Sequence, residues 1–435
     1  MRSSGFKQKY LGQLAAAMTL VTATAGGALA APQETVLYSF QSGTSDGQVP
    51  AAGVTLDGMG NVYGTAESGG ALGGGVVFKV TPDGTETVLH SFMGGANDGF
   101  GPQGALLIDK KGNLYGTTTL GGASGHGALF KLAPDGKLRL LHSFAGSGDG
   151  NQPEGDLLAD KAGNIYGAAA IGGADFTCHT KGNGLNSGCG TVYKLAPDGT
   201  FTTLHAFEHP DKQGLIPTGF LVADPQGNLY GTTETGGGDK PCPAGPISYG
   251  CAVVFEVSPS GAFSVLHAFT GGSDGAFPYV GLLRDSQGNL YGATTGGGNL
   301  ALCDTPVGQQ KGCGVIFKLS PSGALSVLHT FTAGDDGAGP AGSLIADCKG
   351  NLYGTTSYGG AAGNGTVFQI APDGTFTTLY AFQGSPDGSS PFFSGVVADG
   401  EGNLYGTTEG GGATGNGAVF KLTNTGFVTG AACGS

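Results

Sequence analysis

Histidine and cysteine are the side chains of this sequence best suited to proton transfer, metal binding or covalent chemistry, and there are eight of each. His90, His142, His205, His267 and His329 share one slot, two residues before a phenylalanine in the pattern Leu-His-x-Phe, and Tyr38 and Tyr380 fill it twice more. A slot shared by His and Tyr reads as an aromatic packing position with a polar tip, not as a metal ligand. His126, His179 and His209 fall outside it, with Asp175, Glu208 and Asp211 nearby in sequence. Histidine beside carboxylates is raw material for metal binding or general acid–base catalysis. Lys181, Asp239, Lys240 and Asp304 lie in similar irregular stretches and join these six as ligand-binding candidates. No Gly-x-Ser-x-Gly match sits between a strand and a helix as a nucleophile elbow would, and there is no His-Glu-x-x-His helix or phosphate-cradling loop, so no catalytic residue, metal or cofactor is assigned.

A repeat positions all of these residues. The phrase Gly60-Asn61-Val62-Tyr63-Gly64-Thr65 returns at Gly112 to Thr118, and again with Asn164, Asn228, Asn289, Asn351 and Asn403 at its second position. The seven copies are spaced by 52, 51, 64, 61, 62 and 52 residues. A period of this size marks a supersecondary unit that needs its neighbours to bury its faces. Within residues 85–138 four short β-rich runs alternate with turns rich in Gly, Pro and Asp, which predicts four antiparallel strands. We name them from the axis outward: A (Leu-Leu-x-Asp), B (Asn-Leu-Tyr-Gly), C (Val-Phe-Lys-Leu) and D (Leu-His-x-Phe).

Seven such sheets in tandem predict an all-β, seven-bladed β-propeller with four antiparallel strands per blade. Residues 35–40 form a D strand with no blade before it, and the last blade lacks a proper D after Leu422. The N-terminal strand is therefore expected to complete blade 7 and close the ring. A β-solenoid is the alternative, but its coils are shorter and it has no use for this offset. Asp57, Asp109, Asp160, Asp224, Asp285, Asp347 and Asp399 end the seven A strands and suit an Asx-turn role, with calcium the sharper reading. An Asp-Gly-x-x-Pro element enters six of the blades, and Gln213-Gly214 replaces its start in the fourth. Turn chemistry is one reading of its carboxylates and a negative field towards the axis is the other.

The phrase Gly-Asn-Leu-Tyr-Gly-Thr-Thr, followed by Gly-Gly, Val-Phe-Lys-Leu and Pro-Asp-Gly, resembles the GloVer-type tandem repeat of exported bacterial proteins. More distantly it is similar to NHL-type propeller repeats. The resemblance covers residues 35 to about 425. It implies an exported repeat protein without an assigned activity, and it brings no catalytic residues.

Residues 1–30 read as a signal peptide: Arg2, Lys7 and Lys9 precede an apolar run that ends in Ala28-Leu29-Ala30. Cleavage near Ala30 leaves a propeller over 31–426 and a C-terminal tail over 427–435, secreted or periplasmic, with no membrane span. The chain carries 19 Lys and Arg against 32 Asp and Glu, a net charge of −13, and loses three of its cations with the signal. That balance argues against nucleic acid as a partner.

Blades 3, 4 and 5 break the symmetry. From the Gly after Tyr to the middle of strand C is 13 residues in blades 1, 2, 6 and 7, but 25, 23 and 24 in these three. Each enlarged B–C loop holds two cysteines: Cys178 and Cys189, Cys242 and Cys251, Cys303 and Cys313. The loops project from the face that carries the D–A connections and are expected to wall about half of it. This face is where a ligand, glycan or protein, is expected to bind a monomeric, non-catalytic propeller. A secreted carbohydrate-active lyase or hydrolase with its site in the same place is the alternative, since the fold alone hosts both.

Local pairing of the loop cysteines leaves Cys348, in the A–B turn of blade 6, and Cys433, in the tail. Both lie towards the face opposite the wall, and a Cys348–Cys433 bond would tie the tail beneath blade 6. Peptide mapping of the non-reduced protein is expected to recover this pair linked; two alkylatable thiols would refute it.

Overall fold

A computed structural model describes residues 30–41, 43–173, 178, 188–208, 213–218, 220–238, 240–245, 250–303 and 310–430. The expected signal segment before Ala30, the loop residues Asp175, His179, Lys181, His209, Asp211, Asp239 and Asp304, and Cys433 lie outside them. Residues from Ala31 onward form one compact unit. It is a seven-bladed β-propeller of four-stranded antiparallel sheets, with no α-helix among the described residues. None of those residues forms a helix long and apolar enough to cross a membrane.

Blade 1 shows the unit: strand A is Thr55–Leu56, B is Val62–Ala66, C is Val76–Val80 and D is Glu86–Ser91. Strand C is buried on both faces except at Lys79, which explains its near-continuous apolar run. Lys79 lies across from Tyr63 of strand B, with its ammonium 5.8 Å from the ring centre. Below that pair, Asp57 closes the A–B hairpin. Its Oδ1 accepts the amides of Met59 and Asn61, and its Oδ2 accepts the Asn61 side-chain amide and the Tyr63 hydroxyl. Asp109, Asp160, Asp224, Asp285, Asp347 and Asp399 repeat the arrangement, so the Asx-turn reading holds.

The ring closes as the sequence predicts. Strand Gln33–Ser39 pairs with strand C of blade 7, Ala418–Thr423, and stands as that blade's D. Each D-strand Phe packs edge to face on the strand C aromatic of the next blade. The pairs run from Phe92–Phe130, with ring centres 5.2 Å apart, round to Phe382–Phe420 and Phe40–Phe78, both at 5.1 Å. Beside each ring the polar tip of the D slot finds a partner in the Asp-Gly element. His90 Nε2 meets Asp98 Oδ1 at 3.1 Å, Tyr38 donates to Asp46 at 2.8 Å, and His205 meets Gln213 at 2.9 Å. The same Asp accepts a backbone amide of its own connection, as Asp98 does from Met93. The Asp-Gly carboxylates are thus spent on turn chemistry at the outer strand.

In blade 3 a tyrosine, Tyr193, takes the place of the strand C phenylalanine; it is fully buried and its hydroxyl has no hydrogen-bond partner among the described residues. An unpartnered buried hydroxyl costs on the order of 1–3 kcal/mol. Tyr193→Phe is therefore expected to raise stability by about 1 kcal/mol in denaturant unfolding, and a loss of stability would contradict the reading.

Candidate functional site

The D–A connections and B–C loops share one face. Gly47–Gln48, entering blade 1, pairs with Ser68–Gly69 at the end of strand B, and equivalents recur in other blades. After this short pairing the chain turns towards the axis at the residue before Pro, which has positive φ in every blade: Val49 55°, Gly101 67°, Gln152 54°, Ile216 62°, Phe277 57°, Gly339 60° and Ser390 53°. Two of these are β-branched, a strained combination that only firm surroundings sustain. The surroundings here are hydrogen bonds to the previous blade. Val49 N–H donates to Asn416, Gln152 to His126, Ile216 to Cys189, Phe277 to Cys251 and Gly339 to Cys313, each to the backbone carbonyl.

The residue after that Pro then faces the axis: Gln103, Glu154, Thr218, Tyr279 and Phe392 in blades 2, 3, 4, 5 and 7. A second axial slot is the residue that follows Gly-Thr-Thr or its variant at the end of strand B, and it holds Glu67, Glu234, Thr295 and Glu409, among others. The two slots enclose a pair of adjoining hollows that share Tyr279 and Phe393. One, of about 150 Å³, is lined by Glu154, Glu234, Thr218, Phe220, Tyr279 and Phe393, among others. The other, of about 200 Å³, lies against Thr295, Gln310, Tyr358 and Phe392. Phe393 of blade 7 reaches Tyr279 of blade 5, ring centres 6.1 Å apart, so the two rings meet across the axis. Both carboxylates and all the lining aromatics keep part of their surface exposed.

A chain of hydrogen bonds fixes one side of the first hollow. Thr295 O–H donates to Gln310 Oε1 at 3.0 Å, Gln310 Nε2 donates to the Tyr279 hydroxyl at 3.1 Å, and Tyr279 O–H donates to Glu234 Oε1 at 2.8 Å. Gln310 belongs to the enlarged loop of blade 5, so the wall does supply a cavity residue. Its neighbour Lys311 donates a backbone bond of 2.6 Å to Ala244 in the loop of blade 4, joining two of the three loops. Disulfides Cys178–Cys189, Cys242–Cys251 and Cys303–Cys313 close the loops. The second cysteine of each is also the residue whose carbonyl holds the next blade. Cys348 is not a free thiol.

Burial pushes the Glu154 carboxyl up to about 7, with the charges of Glu234 and Glu67 adding to the effect. Glu409 also rises to about 7, through burial and then Glu67. Burial raises Glu234 too, while the Tyr279 hydrogen bond pulls it back. Among the described residues no group of three or more His, Cys, Asp or Glu is placed to hold a metal ion.

Of the residues singled out from the sequence, His126, Glu208 and Lys240 are described, and none lines the axial hollows. His126 occupies the slot that Cys189, Cys251 and Cys313 fill elsewhere and acts through its backbone carbonyl. Glu208 and Lys240 are exposed. Glu67, Glu154, Glu234, Tyr279 and Glu409 escaped the sequence reading. Their signal was variation at two repeat positions: after the near-constant phrase come Glu, Thr, Ala, Glu, Thr, Ser and Glu in turn, and after the entering Pro come Ala, Gln, Glu, Thr, Tyr, Ala and Phe.

Glu154 and Glu409 hold protons more tightly in the folded protein than at their ordinary value of 4.5. Their contribution to stability is therefore complete below pH 4.5 and is lost as the pH rises through about 7. The fall in Tm from pH 5 to pH 8 is expected to be smaller in a Glu154→Gln/Glu409→Gln double variant than in the parent. Equal slopes would rule out the raised carboxyls.

Among solved structures similar to this chain the likeness is remote. Puromycin hydrolase is 15% identical, with a TM-score of 0.50 over 82% of this chain and 50% of that one. An extracellular domain from B. thetaiotaomicron is 12% identical, with a TM-score of 0.48 over 84% of this chain and 37% of that one. A gluconolactonase from Xanthomonas campestris is 18% identical, with a TM-score of 0.41 over 75% and 86%. This chain thus spans about half or less of the first two. No curated protein matches it. The profile of the Gloeobacter/Verrucomicrobia repeat matches residues 19–239, 178–302 and 244–432, nearly the whole length. The chain belongs to the Gloeobacter/Verrucomicrobia repeat family.

Proposed function

We propose that this protein is an exported propeller that binds a glycan, with one sugar ring seated in the axial hollow beside Tyr279. The observation that carries the reading is the composition of that hollow: two carboxylates, a threonine and three aromatic rings, drawn from blades 3, 4, 5 and 7. A sugar offers hydroxyls that donate to carboxylates and a C–H face that packs on aromatic rings. A hollow of 150 Å³ has the size to take a six-membered ring. The disulfides and the absence of an apolar spanning helix among the described residues fit an exported protein. The net charge of −13 disfavours anionic polymers as ligands and leaves neutral glycans.

Binding to a glycan array is expected, with Tyr279→Ala weakening it at least tenfold, since that substitution removes both a stacking ring and the donor to Glu234. His126→Ala and Lys240→Ala should leave it unchanged. Undiminished binding by Tyr279→Ala would move the site away from the axis.

A further inference from the structure

We infer that the axial hollow hydrolyses a glycosidic bond, with Glu154 as proton donor to the leaving oxygen and Glu234 as the base that activates water. The inference rests on the glycan reading above and goes beyond it, because binding alone does not account for how differently the two acids are held. Both line one hollow. Glu234 accepts a hydrogen bond on Oε1 from Tyr279, whose orientation is fixed in turn by Gln310 and Thr295. A donated hydrogen bond favours the ionised form and leaves Oε2 open to a water. Glu154 stands on the strained turn behind Gln152 and Pro153, part-buried, with no hydrogen-bond donor to its carboxyl among the described residues. It feels the charges of Glu234 and Glu67, and both that field and its burial favour the neutral acid. An enclosed acid without partners weakens a fold, and a site built only to grip hydroxyls would gain from donors around it. One carboxyl held by a donated hydrogen bond beside another that has no such donor is the asymmetry that acid–base hydrolysis needs.

The step balances with water as the sole co-reactant. The glycosidic C1–O bond breaks with its electron pair going to the leaving oxygen, which takes the Glu154 proton. Water forms the new C1–O bond and gives a proton to Glu234. Release of that proton to solvent and reprotonation of Glu154 restore the starting state. Phe220, Tyr279 and Phe393 supply the apolar wall against which the ring is held.

The test is hydrolysis by the purified exported protein of two sets of substrates with matched sugars. One set is 4-nitrophenyl glycosides, whose leaving oxygen needs little protonation; the other is unactivated oligosaccharides, which need it fully. Products are followed by nitrophenolate absorbance and by mass spectrometry, and binding by calorimetry. Turnover of at least one matched pair is expected. Glu154→Gln should then slow oligosaccharide cleavage by about 10²–10⁴-fold while slowing the nitrophenyl glycoside far less and keeping Kd within a few-fold. For the parent, kcat/KM should fall as the pH rises through about 7. Glu234→Gln should slow both sets alike. Equal losses on the two sets in Glu154→Gln, or no loss, would overturn the role of Glu154 as donor. A Tyr279-dependent ligand that is bound and recovered uncleaved would overturn the hydrolysis and leave the binding reading standing. Neither binding nor cleavage of any member would overturn both.

Discussion

Seven edge-to-face aromatic pairs hold the ring together, and the other constant residues of the repeat are arranged around them. Each pair joins a D-strand Phe to the strand C aromatic of the next blade, and nearly all of these rings are fully buried. Such pairs are worth about 0.5–1.5 kcal/mol each beyond the area they bury. The strand C ring lies directly over the Gly of the Tyr-Gly phrase; a Cβ on Gly64 would run into Phe78. A second inter-blade contact sits above the rings. In six blades the Gly that opens strand C meets the Pro entering the next, and a Cβ on Gly417 would come within 2.6 Å of Pro50 Cδ; in blade 4 Ala252 stands in that place. At those six junctions blade spacing is thus set by a close glycine–proline contact and an aromatic pair, and the ring cannot open there without losing both.

This dependence explains what could be read from the sequence. Residues that pack between blades must recur at every junction, so they appear as a period: the Tyr-Gly phrase, the Phe of strands C and D, and Pro in the entering turn. The polar slots that serve them recur for the same reason. Where the slot partner changes, its neighbour changes too. His142, His205 and His329 stack on Phe201, Phe263 and Phe376 of the following D strand, whereas Tyr38 and Tyr380 face Glu86 and Glu34 at that position. The axial residues escaped because they obey the opposite rule. They make no contact that every blade must share, so nothing holds them constant. Loop length drew attention to the wall, yet Gln310 is the described wall residue that reaches the hollows. Nor could alternation along a strand aim Glu154 or Tyr279, since the left-handed residue before each Pro breaks the two-residue period just where the chain turns inward.

The same turn accounts for the separation of scaffold from site. A positive φ at Val49 or Ile216 is costly, and the chain sustains it because the N–H of each is bonded to the carbonyl of the preceding blade. That bond makes the turn a property of the junction, independent of the side chain that follows Pro. In consequence the axial slot can carry Gln103, Glu154, Thr218 or Tyr279 with no change in the backbone that presents it. Three of the junctions are held by a disulfide cysteine, and they are the three that carry the enlarged loops. An enlarged loop has more conformational entropy to lose and would loosen the carbonyl that fixes the next turn; a bond across its base removes that freedom. The disulfides therefore act on the site as much as on the loops. They keep the turns at Ile216, Phe277 and Gly339 as firm as those behind short loops. Thr218 and Tyr279 follow directly from two of these turns, so the most elaborated part of the rim also presents the hydrogen-bonded side of the hollow.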